Sequence, residues 1–227
     1  MKILITGANR GLGLEFARRY AERGDEVFAA TRTGEPLPGI TATPIRLDVA
    51  STPSIEAAAA TVGRETASLD LLINNAGVYN GAGGSNAEKL GELKVSDAHK
   101  VLVVNAVGPI LIAQAFREML LRGKSPKLVN ITSGYGSLDR NTGGFPFHYG
   151  ASKAALNHYM RSFAFDPLTG GLTTIVMNPG WVRTDMGGPN ATLSVEESVG
   201  GMIQVIDGLT PEQNGQWLDY TGQPQPW

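Results

Sequence analysis

The chain contains no cysteine. Disulfides, thiol catalysis and cysteine-ligated metal are thereby excluded, and a reducing compartment fits. Histidine is nearly as scarce. His99, His148 and His158 are the only three, and none belongs to an HExxH-type cluster, so no metal site is expected. Charge of either sign is not in excess: 19 basic and 21 acidic residues leave a net charge of −2. No basic footprint for nucleic acid or an anionic membrane exists. The N-terminus does not read as a signal peptide, because Thr6-Gly7 interrupts the short apolar run Ile3-Leu4-Ile5. The most membrane-like stretch, Val101 to Ala113, is short for a bilayer span and contains Asn105, Gly108 and Pro109. It reads as a buried helix. These absences point to a cytoplasmic protein with neither nucleic acid nor membrane as partner.

What the chain does contain is an alternation of short apolar runs with helical periodicity. Runs at 2–6, 27–31, 43–48, 69–74, 127–132 and 172–177 read as strands. Helical segments are expected at 12–23, 54–66, 95–121 and 149–165. Continuous apolar strands between helices imply a parallel sheet covered on both faces. The fold class is therefore α/β, a doubly wound parallel sheet in one Rossmann-like domain over residues 1–227. No linker divides the 227 residues. Gly81–Ser85 and Asp139–Phe147 are expected to be flexible loops.

The first turn reads Thr6-Gly7-Ala8-Asn9-Arg10-Gly11-Leu12-Gly13 and joins the first strand to the first helix. Glycines there permit a tight turn and close approach of backbone to a pyrophosphate, and the helix N-terminus offers free N–H donors. The spacing is Gly-x-x-x-Gly-x-Gly, wider than GxGxxG. A glycine-rich turn without a ligand is the bland alternative. The second strand ends at Ala29-Ala30-Thr31-Arg32, where an NAD-selecting site usually has an acid for the ribose hydroxyls. None is present. Arg32 and Arg10 suit a ribose 2′-phosphate instead, which favours NADP over NAD; otherwise both are solvated surface arginines. The Gly-Lys-Ser/Thr end of a nucleoside-triphosphate loop is absent.

Tyr149 and Lys153 lie four apart in a helical segment and so share a face. A nearby ammonium favours the phenolate and brings the phenol nearer its working range. Asn105 lies in a helix four residues before Pro109. Proline lacks an N–H, so the Asn105 carbonyl is left for another donor, water or lysine; a plain helix kink is the alternative.

These pieces stand in a particular order: Thr6-Gly7-x-x-x-Gly11-x-Gly13, Asp48-Val49, Asn74-Asn75-Ala76-Gly77, Asn105, Ser133, Tyr149-x-x-x-Lys153 and Pro179-Gly180. In that order they resemble the short-chain dehydrogenase/reductase family over nearly the whole chain. The run from Pro179 to Met186 is similar to carbonyl reductases of that family. The tail around Gly215-Gln216-Trp217-Leu218-Asp219 resembles its small C-factor-like and sniffer-like branch.

The resemblance implies roles. Tyr149 would be the general acid in carbonyl reduction and the base in alcohol oxidation. Lys153 would bind the nicotinamide ribose and lower the tyrosine pKa. Ser133 would orient the substrate carbonyl, and Asn105 would hold a relay water beside the lysine. Gly7, Asn9, Arg10, Gly11, Leu12 and Gly13 would form the cofactor turn. Asp48 and Val49 would contact adenine; Asn75, Ala76 and Gly77 would line the adenosine side. Pro179 and Gly180 would lie by the nicotinamide, with Val182 and Thr184 holding the carboxamide and the phosphate side. A short substrate-binding segment is expected near 183–200, and the resemblance also implies a homodimer through the Asn105 and Tyr149 helices as an alternative to a monomer. Where relatives have Ser-Ser, this chain has Thr132-Ser133, which makes Thr132 the structural member. Phe145, Phe147 and His148 form either one wall of an apolar pocket or loop packing. Trp181 reads as a packing residue. The expected activity is reduction of a small-molecule ketone or aldehyde with NADPH. The other reading is a dinucleotide-binding sensor or signalling protein whose turnover is incidental.

Overall fold

Apolar residues run uninterrupted through the strands because both faces of the sheet are covered. In the computed structural model, which describes residues 1–80 and 88–227, seven parallel strands lie in the order β3-β2-β1-β4-β5-β6-β7. They are β1 (Lys2–Thr6), β2 (Glu26–Thr31), β3 (Thr43–Arg46), β4 (Leu71–Asn74), β5 (Lys127–Ile131), β6 (Thr173–Asn178) and β7 (Trp217–Asp219). The helices are α1 (Gly11–Glu22), α2 (Thr52–Glu65), α3 (Val95–Leu102), α4 (Gly108–Leu121), α5 (Phe147–Ala164) and α6 (Val195–Gly208). The expected loop Gly81–Ser85 falls outside the described residues.

Alternate residues of each strand enter two cores. Leu4, Leu72 and Leu128 meet Ile112 and Phe116 of α4 and Leu156 and Met160 of α5. Ile5, Ile73 and Val129 meet Phe16 and Tyr20 of α1 and Val199 and Met202 of α6. Each such side chain contributes roughly 1.5–3 kcal/mol on burial. The helical stretch Val95–Leu121 is long and apolar enough to cross a membrane by length and composition. Its Val101, Ala106, Ile112, Ala113, Phe116 and Leu120 are nevertheless buried within the protein, as expected of a core helix.

Two elements escaped the sequence reading. The helix α6 is announced by Ser194 and Glu197, which form a reciprocal capping box. The strand β7 is only three residues long, too short for a periodic signal. The strand order reverses between β1 and β4, which both leave the sheet at the same edge of a crevice. Ligands of open α/β sheets bind outside the carboxyl ends of the strands at that point.

Candidate active site

The turn after β1 is shaped by close approaches that only glycine permits. Gly7 has φ of 66°, and a Cβ there would lie 2.9 Å from the Ala76 Cα. A Cβ on Gly13 would stand 2.3 Å from the Gly7 carbonyl oxygen and 2.5 Å from Nδ2 of Asn75. Asn75 is the staple of this turn: its Nδ2 donates to the carbonyls of Thr6 and Gly7 at 2.9 and 3.2 Å. The Thr6 hydroxyl in turn accepts from the N–H groups of Asn75 and Ala76. Asn9 and Arg10 are exposed, while Leu12 packs against the α1 side of the core. At the start of α1, Arg10 makes no capping hydrogen bond and the first turn holds no acid. Tight glycines and an uncapped, acid-free helix start suit the pyrophosphate of a dinucleotide.

The segment after β6 faces this turn. Gly180, with φ of 80°, would drive a Cβ to within 2.5 Å of Leu193, and the Pro179 carbonyl accepts from the Ser198 hydroxyl. Val182 bridges to Leu193, and the Thr184 hydroxyl accepts from the Gly187 N–H. A Cβ on Gly11 would come 3.5 Å from Thr184, so the two segments touch. The guanidinium of Arg10 closes the gap by pairing with the exposed carboxylate of Asp185. Arg32, at the end of β2, is exposed and donates to no described residue. The structure therefore gives the two arginines different surroundings. Asp48 is exposed after β3, its carboxylate turned onto the Ala50 N–H, and Val49 is buried with its carbonyl against Gly108.

Asn105, Ser133, Tyr149 and Lys153 converge where β4 and β5 end. The helix widens into a π turn at Val103–Val107, immediately before Gly108-Pro109. That is the consequence of a proline N that cannot donate to the Asn105 carbonyl. The Asn105 side chain accepts from the Val78 N–H and donates to the Val78 carbonyl, both at 2.8 Å. It also donates to the Ser152 hydroxyl at 3.0 Å, tying β4, the π turn and α5 together. A Cβ on Gly77 would lie 3.4 Å from Oδ1 of Asn105 and 3.8 Å from Nζ of Lys153. Lys153 is buried and donates to the Ile131 carbonyl at 2.8 Å. Thr132 donates to Asn157, which is a structural bond, whereas Ser133 is turned toward the phenol and caps the short turn after β5.

The buried phenol of Tyr149 has its pKa pushed up to about 12. Burial is the main cause, the Ser133 hydroxyl pulls the other way, and Tyr79, Tyr135 and Glu88 raise it further. Nζ of Lys153 lies 5.8 Å from the phenol ring, and burial brings its own pKa down to about 8. Burial, not the ammonium, dominates at the phenol in this arrangement.

Sequence reasoning missed the aromatic lining. Tyr79 packs on Tyr149 with centroids 4.7 Å apart, and Tyr135 lies edge-on at 6.2 Å. Phe145 does form part of this wall, through Tyr135, while Phe147 points partly to solvent. Trp181 is half-exposed, and its indole N–H holds the Gly187 carbonyl. Sδ of Met186 sits 3.8 Å from the phenol oxygen. Of the segment 183–200, residue 186 thus reaches the site, but 195–200 open α6, whose Val199 is core. A cavity of about 150 Å³ is lined by Arg10, Gly77, Tyr79, Lys100, Asp185 and Met186, of which Tyr79 and Met186 also contact Tyr149. Tyr79 and Tyr135 each follow a recognised motif by two residues, but only the packing shows where their rings point.

Residues 1–192 match the family model of short chain dehydrogenases. The chain belongs to the short-chain dehydrogenase family. C-signal of Myxococcus xanthus is 44% identical over 162 residues, 71% of this chain and 95% of that one. The NADPH-bound carbonyl reductase from chicken fatty liver is 32% identical, with a TM-score of 0.87 over 100% of this chain and 98% of its own. Carbonyl reductase Sniffer of Drosophila melanogaster is 27% identical, with a TM-score of 0.88 over 100% and 99%. The protein is an oxidoreductase of this family with carbonyl-reductase-like structural neighbours. Family members of this kind act on small molecules.

Proposed function

We propose that this short-chain dehydrogenase reduces the carbonyl of a small ketone or aldehyde with NADPH, with Tyr149 as general acid. The observation that carries the reading is the convergence of Tyr149, Ser133 and Lys153 at the crevice end of the sheet, opposite the glycine turn. The turn of Gly7–Gly13, with Thr184 across from it, would hold the cofactor phosphates. Asp48 and Val49 would meet adenine, and Asn75 would act by fixing the turn. A bound nicotinamide would supply the hydride. Ser133 would orient the carbonyl oxygen toward the phenol, which donates its proton, and Lys153 would hold ribose hydroxyls. Asn105, its side chain engaged by Val78 and Ser152, would offer its backbone carbonyl to a relay water. The phenol is protonated at neutral pH, the form from which carbonyl reduction starts. The missing acid beside Arg32 and the NADPH held by the chicken relative support NADP over NAD. A cytoplasmic location and pairing of two copies through the helices of Asn105 and Tyr149 belong to the same proposal.

The likeness to C-signal favours a second reading, a dinucleotide-binding signalling protein. NADPH oxidation by purified protein across aldehydes, ketones, diketones and quinones separates the two. Steady turnover is expected of the enzyme. Tight NADPH binding with no turnover on any member of the panel would favour the signalling role.

A further inference from the structure

The first turn of α5 carries Tyr149, and its N–H groups need acceptors from outside the helix. The local sequence supplies none: Pro146 makes no capping hydrogen bond, and the first turn contains no acid. The acceptor comes from 60 residues away in sequence. Oε2 of Glu88 accepts from the backbone N–H of His148 at 2.7 Å and from that of Tyr149 at 3.2 Å. A carboxylate is favoured at that end of a helix by the backbone dipole as well.

We infer that Glu88 is a positioning residue for Tyr149, anchoring the backbone of the tyrosine and adding a negative charge near its phenol. The inference rests on the reading of Tyr149 as general acid. The groups around the phenol come from every neighbouring element. Ser133 and Tyr135 face it from the turn after β5, Tyr79 from beyond β4, Met186 from beyond β6, and Lys153 from α5 itself. His148 precedes it on the same helix. Glu88 is the one carboxylate among them. Its charge helps keep the proton on Tyr149 and acts in the same direction on Tyr79. The same side chain thus fixes where the phenol stands and opposes its ionisation, an effect that bears on the oxidative direction, where the phenolate would act as base.

Glu88→Ala removes acceptor and charge together, whereas Glu88→Gln keeps a carbonyl acceptor and removes only the charge. Both are compared with the wild type as folded proteins, following NADPH oxidation in the reductive direction and NADP reduction with an alcohol. In Glu88→Ala, kcat should fall by about tenfold or more, because small misplacements of a reacting group cost that much. The KM for cofactor should stay within about twofold, since Glu88 holds only the backbone of Tyr149 and touches none of the glycine-turn residues. Glu88→Gln should recover most of the reductive kcat. Its pH profile for alcohol oxidation should rise at lower pH than the wild type, because the phenolate is no longer opposed by a neighbouring anion. An unmoved pH profile in Glu88→Gln, or wild-type kcat in folded Glu88→Ala, overturns the inference. Tyr149→Phe distinguishes the two levels of failure. Lost turnover in that variant with neither Glu88 effect sinks the role of Glu88 alone, whereas retained turnover sinks the general-acid reading beneath it.

Discussion

Tyr149 is a phenol whose burial opposes its ionisation, and that sets what the residue does well. Removing its hydroxyl in Tyr149→Phe keeps the ring against Tyr79 and Tyr135 but takes away the proton donor. Turnover should fall by about 10²–10⁴, the usual worth of a placed acid-base group, with NADPH affinity little changed. Steady-state kinetics with near-native turnover would refute the assignment. Lys153 is equally buried but has a carbonyl partner, and its Nζ lies 5.8 Å from the phenol ring. In the proposed mechanism its ammonium would serve ribose hydroxyls and a relay. Ser133 is the group whose hydrogen bond pulls the phenol down.

Among the elements, the turn from β1 to α1 is the tightest. Its shape depends on Gly13 lying against the Gly7 carbonyl and on Asn75 bonding two successive carbonyls. Gly13→Ala forces a Cβ into a space 2.3 Å from a backbone oxygen. Overpacking of this kind typically costs ~1–3 kcal/mol. The melting temperature of the variant should fall, and titration should show weaker NADPH binding. Wild-type values for both would mean that the turn relaxes freely and does not template the cofactor. The π turn at Val103–Val107 shows a second kind of dependence. One missing N–H at Pro109 widens the helix, and the widening brings the Asn105 side chain to Val78 and Ser152.

For the molecule as a whole, two outcomes follow from charge. The first concerns cofactor choice. NADPH should bind better than NADH, and Arg32→Ala should shrink that preference by about 1.5–3 kcal/mol if the guanidinium meets the 2′-phosphate. Arg10 must leave Asp185 to take part, so Arg32, already without a partner among described residues, is the more informative variant. Equal affinity of the wild type for both cofactors, measured by titration, would overturn the NADP assignment. The second concerns pH and stability. Burial lowers the folded pKa of Lys153 from 10.5 to about 8, so between those values the unfolded chain binds more protons than the folded one. Burying the Lys153 ammonium therefore costs stability below about pH 8, on the order of 3 kcal/mol, and that cost is relieved as pH rises through about 8 to 10.5. Tyr149, raised from 10 to about 12, acts oppositely, and its contribution falls as pH rises through that window. The melting temperature of cofactor-free Lys153→Met minus that of the wild type should shrink as pH rises from 8 to 10. A difference independent of pH would show that the buried amine does not titrate there.

The amino-acid sequence by itself determined the parallel α/β architecture, because apolar runs and helical periods report burial on both faces of each strand. It also determined which residues were candidates: the glycine turn, the Tyr149–Lys153 spacing and the Asn105–Pro109 spacing are local patterns whose chemistry needs no coordinates, while Ser133 came from the resemblance to the family. The helix α6 was legible in the Ser194–Glu197 capping box and went unread, while β7 carried too little periodicity to read. Other features were decided only by the tertiary structure, since they depend on contacts between residues far apart in sequence. Asn75 proves to be the staple of the first turn, Arg10 turns to Asp185, Tyr79 and Tyr135 wall the phenol, and Glu88 caps its helix. The direction of the Tyr149 shift belongs here too. Spacing puts an ammonium on the same helix face, but only packing shows that burial is the largest influence on the phenol, because desolvation depends on everything that surrounds the ring.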